Sequence, residues 1–157
     1  MGRIDDRLAE LGLRLPEPFA APAGVEFKFD LVRVQGDTAH VSGHGPVDGD
    51  RTLVAGKVGG DVSAEEAAEA ARLTALAIFA SLRQELGDLD RVSRWVKALG
   101  LVNCAPGFSK TPAVVNGFSA LVLEVWGDAG HHARSAIGVA ELPFDWPVEV
   151  EALVEIR

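Results

Sequence analysis

The stretch Arg91-Val92-Ser93-Arg94-Trp95-Val96-Lys97-Ala98-Leu99-Gly100-Leu101-Val102-Asn103 restricts the fold more than any other. Read as a strand it is apolar on both sides, so it belongs inside a sheet whose two faces are covered. Residues 63–86, just before it, supply one cover. Ser63 and Glu66 stand at the capping-box spacing, and Gly87 sits where a helix ends on a left-handed residue. Leu73, Leu76, Ala77, Ala80 and Gln84 share one face of this helix, while Glu65, Glu69, Arg72 and Arg83 are polar. Its alanines suit close packing against a sheet.

Before that helix, residues 3–12 read as a short amphipathic helix and residues 15–22 as a Pro-rich extended segment, together an N-terminal extension of residues 1–22. Residues 25–34 read as a strand, Gln35-Gly36-Asp37 as a tight turn and 38–42 as the return strand, with a loop to Asp61. After Pro106-Gly107, Thr111 reads as an N-cap with Pro112 in the first helical turn. Val115, Phe118, Ser119, Val122 and Trp126 share a face of that second helix, which Gly127 closes. Two strand-like segments then flank a Pro-bounded turn, Leu142 to Pro147. The order is hairpin, helix, strand, helix, strand, strand, which predicts an α+β domain with a mixed sheet and both helices on one face. The valines of 92–102 and 148–156 are too apolar for water on both sides, and a chain of 157 residues has no second layer left, so self-association through the sheet is expected.

Charge narrows the partners. The formal net charge is −8 and the 15 basic residues are scattered, which disfavours nucleic acid as a ligand. One cysteine, Cys104, excludes an intrachain disulfide and a cysteine metal cluster. The charged N-terminus and the lack of a membrane-length apolar run predict a cytoplasmic protein without a membrane partner. Gly56-Lys57-Val58-Gly59-Gly60-Asp61 matches no phosphate loop, and Ser42 lacks a nucleophile elbow. His131 and His132, adjacent in sequence, cannot both face one metal from a regular element, so no metal is expected there. His40 and His44 read as surface or interface residues, Cys104 as an inert thiol, and the tryptophans as packing.

The residue that needs a chemical explanation is Arg134, a lone arginine opening an apolar strand. A guanidinium is permanently charged, so it needs an anion, either a carboxylate of the fold or one belonging to a ligand. Glu149 can lie across the turn from it, and Glu149, Glu151 and Glu155 alternate on one strand face. Both a structural salt bridge and a ligand role are open on the residues alone.

The segment Ala133-Arg134-Ser135-Ala136-Ile137-Gly138-Val139-Ala140-Glu141-Leu142-Pro143 with Val148-Glu149-Val150-Glu151-Ala152 resembles the signature of the RidA (YjgF) family. Val41-Ser42-Gly43-His44-Gly45-Pro46 resembles its first-hairpin motif, and Asn116 has a counterpart there. The resemblance implies a chorismate-mutase-like fold assembled as a homotrimer, with the sheets facing a central barrel and ligand clefts between subunits. It implies hydrolysis of reactive enamines and imines such as 2-aminoacrylate to 2-keto acids and ammonia, without a cofactor. Carried over, Arg134 grips the substrate carboxylate and Glu149 positions water or shuttles a proton, while Phe29, Ser42, Gly43, Asn116, Ser135 and Ala136 line the pocket. Ala136 stands where some members have cysteine. Phe29 falls where the active deaminases carry a tyrosine, and this chain has no tyrosine at all. The alternative implied is therefore a trimer that binds small carboxylated metabolites without turning them over.

Overall fold

The computed structural model describes residues 2–157. Its sheet has five strands in the order β1 (Val32–Gln35), β2 (Thr38–His44), β7 (Val148–Ile156), β5 (Val92–Asn103) and β6 (Ala133–Val139), with β5 and β6 parallel and the other pairs antiparallel. A two-stranded ribbon, β3 (Val47–Asp48) with β4 (Arg51–Thr52), interrupts the loop expected before Asp61. The helices are α1 (Arg3–Glu10), α2 (Ala64–Leu86) and α3 (Thr111–Trp126). Both α2 and α3 pack on one face of the sheet and on each other, and α1 lies against α3. Among the described residues no helix is long and apolar enough to cross a membrane.

Local signals set most of these boundaries. The Ser63 hydroxyl accepts the Glu66 N–H at 3.0 Å and the Glu66 carboxylate accepts the Ser63 N–H at 2.9 Å, so the capping box closes in both directions. Gly87 takes φ +79° and ends α2. α3 starts differently from the sequence expectation. Its N-cap is Lys110, and the Thr111 hydroxyl donates to the Ala136 carbonyl at 3.0 Å, tying α3 to β6 instead of capping its own helix. The first strand is also shorter than expected. Residues 25–31 stay out of the sheet because Phe27 turns to stack on Phe19, with ring centroids 5.0 Å apart, in a small cluster with Trp146, Val47 and Ala77.

The expected two-sided burial needs correction. On β7, Val148, Val150, Ala152, Val154 and Ile156 all face the helices, whereas Glu149, Glu151, Leu153 and Glu155 face the open side. On β5 the pairing shifts between Val92 and Arg94 and again between Trp95 and Lys97. Such bulges add a residue and reset the alternation. Trp95 and Ala98, three apart, are therefore both buried against the helices, while Val96, Leu99 and Leu101 of the same strand lie on the open side. The apolar part of the open face is half-buried Leu99, Leu101 and Leu153, with Val96 at 38% and Ile137 at 49% exposure.

Candidate functional site

Arg134 lies on the edge strand β6, paired with Ala98 of β5, and points to the side where α3 packs. Its Nη1 donates to Asn116 Oδ1 at 2.8 Å and to Ser119 Oγ at 3.1 Å, and its Nη2 reaches the Pro112 carbonyl at 3.4 Å. All three partners are neutral and all sit on α3. Among the described residues it forms no ion pair. Of the five donors on a guanidinium, Nε–H and one Nη2–H are left without a protein acceptor, enough for a carboxylate fork. Burial pulls its pKa below the ordinary arginine value, as expected for a cation withdrawn from water with no carboxylate to offset the loss. Ser135 is exposed on the opposite face, and half-buried Ala136 offers its carbonyl to Thr111.

Ser119 and His132 are what the sequence reading missed. The His132 Nδ1–H donates to the Gly130 carbonyl at 2.7 Å, and Nε2 faces Ser119 Oγ at 2.9 Å. With Arg134, Leu123 and His131, these two residues line a cleft of about 210 Å³. The signal was present in the chain: His132 and Arg134 are two apart, so an extended backbone turns both the same way.

Glu149 does not meet Arg134 within the chain, contrary to the expected arginine–glutamate pair. It pairs with Leu101 of β5, three residues beyond Arg134's partner Ala98, so it faces the open side and β5 runs between the two. Half-buried Glu149 has a raised pKa, chiefly from desolvation and secondarily from Glu151. It packs on Gly43, where an added Cβ would stand 2.8 Å from the Glu149 Cδ and Oε2 atoms. Gly43 and Ser42 occupy a bulge of β2, between Val41 and His44. The Ser42 hydroxyl donates to the Asp30 carbonyl at 2.7 Å, which holds the strap carrying Phe29 beside the bulge, and the Phe29 ring is exposed (54%). On one chain the proposed site residues are therefore dispersed: Asn116 and Arg134 lie beside α3, Ser42, Gly43 and Glu149 at the bulge and the open face, and Phe29 on the strap, where it lines a cavity with Ser81, Gln84 and Glu85 of α2.

His44 is buried, not at the surface. Its Nδ1–H donates to the Ser42 carbonyl at 2.7 Å, which makes Nε2 the acceptor for the Ser81 hydroxyl at 2.8 Å. His44 thus pins the bulge that carries Gly43. Desolvation lowers its pKa to about 4 from 6.5, only partly opposed by the Ser42 carbonyl. Between those values the unfolded chain binds the proton and the folded one does not. Stability from His44 is complete above pH 6.5 and is lost as pH falls to about 4, a change on the order of 3 kcal/mol. Thermal melts between pH 7.5 and 4 should show this loss, and His44→Gln should remove that part of the slope.

Cys104 is half-buried, and desolvation raises its thiol pKa above the ordinary value, which suits an unreactive sulfur. Fully buried Asn103 accepts from Lys57 Nζ at 2.8 Å and donates to the Trp146 carbonyl at 3.1 Å, fastening the Gly-rich loop to the turn before β7. No group of three or more His, Cys, Asp or Glu side chains converges among the described residues.

Comparisons with known proteins add a family context. A family model described as "YjgF/chorismate_mutase-like, putative endoribonuclease" matches residues 5–154. Protein TCP17 of Trypanosoma cruzi is 42% identical over 157 residues, covering 99% of this chain and 96% of its own. The crystal structure of Atu1372 from Agrobacterium tumefaciens, described as a protein with unknown function, is 38% identical with a TM-score of 0.86, covering 98% of this chain and 92% of that one. The YjgF gene product of E. coli is 26% identical with a TM-score of 0.62, covering 91% and 97%.

Proposed function

The chain belongs to the YjgF/RidA family, and on that footing we propose that it hydrolyses small enamine and imine acids to 2-keto acids and ammonia, without a cofactor, in the cytoplasm. The observation that carries this is the Arg134 guanidinium, oriented by Asn116 and Ser119 and left with a free pair of donors. An iminium carbon is already electrophilic, so the protein has only to hold the carboxylate, admit a water and manage protons. Glu149, whose raised pKa favours exchange of a proton over permanent charge, suits the last task.

The site residues are dispersed on one chain, so the complete site is a shared one. The edge strand β6 of one protomer meets the open face around Gly43 and Glu149 of the next, and Ser135 and Ile137 become contact residues. Such a contact joins two different surfaces and closes only as a ring, and the homotrimer of the family is that ring. The net charge of −8 weighs against RNA as the substrate. A second reading is favoured by Phe29, whose phenyl ring walls a pocket but cannot hydrogen-bond: a trimer that binds small carboxylated metabolites without turnover.

One experiment separates them. A 2-imino acid generated in situ from an amino acid should yield 2-keto acid faster with the protein than in buffer, and the native mass should be three times that of the chain. No acceleration, with 2-oxobutanoate still bound, would leave the binding reading. A monomer with full activity would remove the shared site.

A further inference from the structure

We propose that His44 and Ser81 are positioning residues for Glu149, holding through the Ser42–Gly43 peptide the backbone on which its carboxyl group lies. This rests on the hydrolytic reading above, in which Glu149 manages the protons. The register of β2 against β7 passes from Val41 opposite Ala152 to His44 opposite Val150, so Ser42 and Gly43 together face Glu151 alone. The extra residue of a bulge is left out of the ladder, and its backbone needs another partner. The Ser42 carbonyl finds one in His44 Nδ1–H at 2.7 Å. The same peptide unit leads into Gly43, which lies against Glu149: an added Cβ would meet the carboxyl Cδ and Oε2 at 2.8 Å and Cγ at 3.2 Å. Among the described residues Glu149 forms no ion pair, so packing on this glycine sets where its oxygens stand.

The clamp is rooted in α2. Ser81, buried in that helix, donates its hydroxyl to His44 Nε2 at 2.8 Å, so both ring nitrogens of the neutral imidazole are engaged. The ring has little room to turn. Phe19 packs beside it with centroids 5.7 Å apart, and the next residue, Gly45, lies directly on the Trp146 ring. The strap is fastened to the same bulge, because the Ser42 hydroxyl donates to the Asp30 carbonyl at 2.7 Å and the Ser42 N–H to the Leu31 carbonyl at 2.9 Å. Removing the Ser81 hydroxyl leaves Nε2 a buried acceptor without a donor. The imidazole, the Ser42–Gly43 peptide and the Glu149 carboxyl group then gain slack in turn. A group that transfers protons is sensitive to such slack, since a small displacement costs rate more than affinity. Arg134 is untouched, being held by Asn116 and Ser119 of α3.

Rates of keto-acid release from a 2-imino acid formed in situ test it, compared for wild type, Ser81→Ala, Ser81→Cys, His44→Gln, Glu149→Gln and the double variant Ser81→Ala/Glu149→Gln. Ser81→Ala is expected to lose about 10-fold in kcat with KM changed less than about 2-fold. Ser81→Cys keeps a weak donor in place and should fall between it and wild type. His44→Gln still offers one donor and one acceptor, and should keep kcat within about 3-fold of wild type. Glu149→Gln should lose roughly 10²-fold. Adding Ser81→Ala to it should cost nothing further, because a side chain that cannot transfer a proton gains nothing from exact placement. If Ser81→Ala costs the same factor in both backgrounds, or if Glu149→Gln matches wild type, the clamp does not serve Glu149. The hydrolytic reading then still stands, provided Arg134→Ala is impaired. If the wild type gives no turnover, both fall.

Discussion

Arg134→Ala should lower kcat/KM for a 2-imino acid by about 10³-fold. The anchor alone accounts for about 100-fold, since a charge-assisted bidentate bond to a carboxylate contributes roughly 1.5–3 kcal/mol net. The remainder is orientation: without the fork, the reacting carbon is no longer held in place for attack by water. Arg134→Lys should recover only a small part, because an ammonium cannot bond Asn116, Ser119 and a ligand carboxylate in one plane. Titration with 2-oxobutanoate should show the anchor loss separately. Folding should be unaffected, because Arg134 makes no ion pair among the described residues and its α3 partners are polar groups near water. A variant that binds the keto acid as tightly as wild type would show that this arginine is no anchor.

The largest effect on stability is expected from Gly117→Ala, a loss of about 4 kcal/mol, the upper end for overpacking. Gly117 lies where α3 crosses α2, and an added Cβ would stand 1.9 Å from the Ala68 carbonyl oxygen and 2.8 Å from its carbon. Neither atom belongs to a side chain that could swing aside, so the helices must separate. Separation would loosen Phe118 and Trp126, which pack with Phe79 and Trp95 at centroid distances of 4.8–5.9 Å. Urea unfolding should show the loss as a shifted midpoint. Ala120→Ser, at an exposed site on the same helix, should stay within about 0.5 kcal/mol of wild type.

What was legible in the sequence follows the range of each interaction. The capping box of α2, its glycine stop and the extent of β5 depend on neighbours in the chain, and they fold as those neighbours dictate. Thr111 departs because a carbonyl twenty-five residues away competes for its hydroxyl. Arg134 and Glu149 were proposed as partners on sequence proximity across a turn. Which faces they take depends on β5 entering between β6 and β7, and strand order is not written in either segment. The bulge before Ala98 misled in the same way, because periodicity assumes that no residue has been inserted. His44 reads as a surface or interface residue because nothing in its neighbours shows that the fold removes it from water.

An arginine on the edge strand and a glutamate on the far face have a consequence for inheritance of damage. In the proposed ring no chain owns a reaction centre outright, since each lends one half to the neighbour on its left and borrows the other from the neighbour on its right. A fault in one copy is therefore felt by a sound copy beside it. Conversely, two chains crippled in different halves can together rebuild one that works.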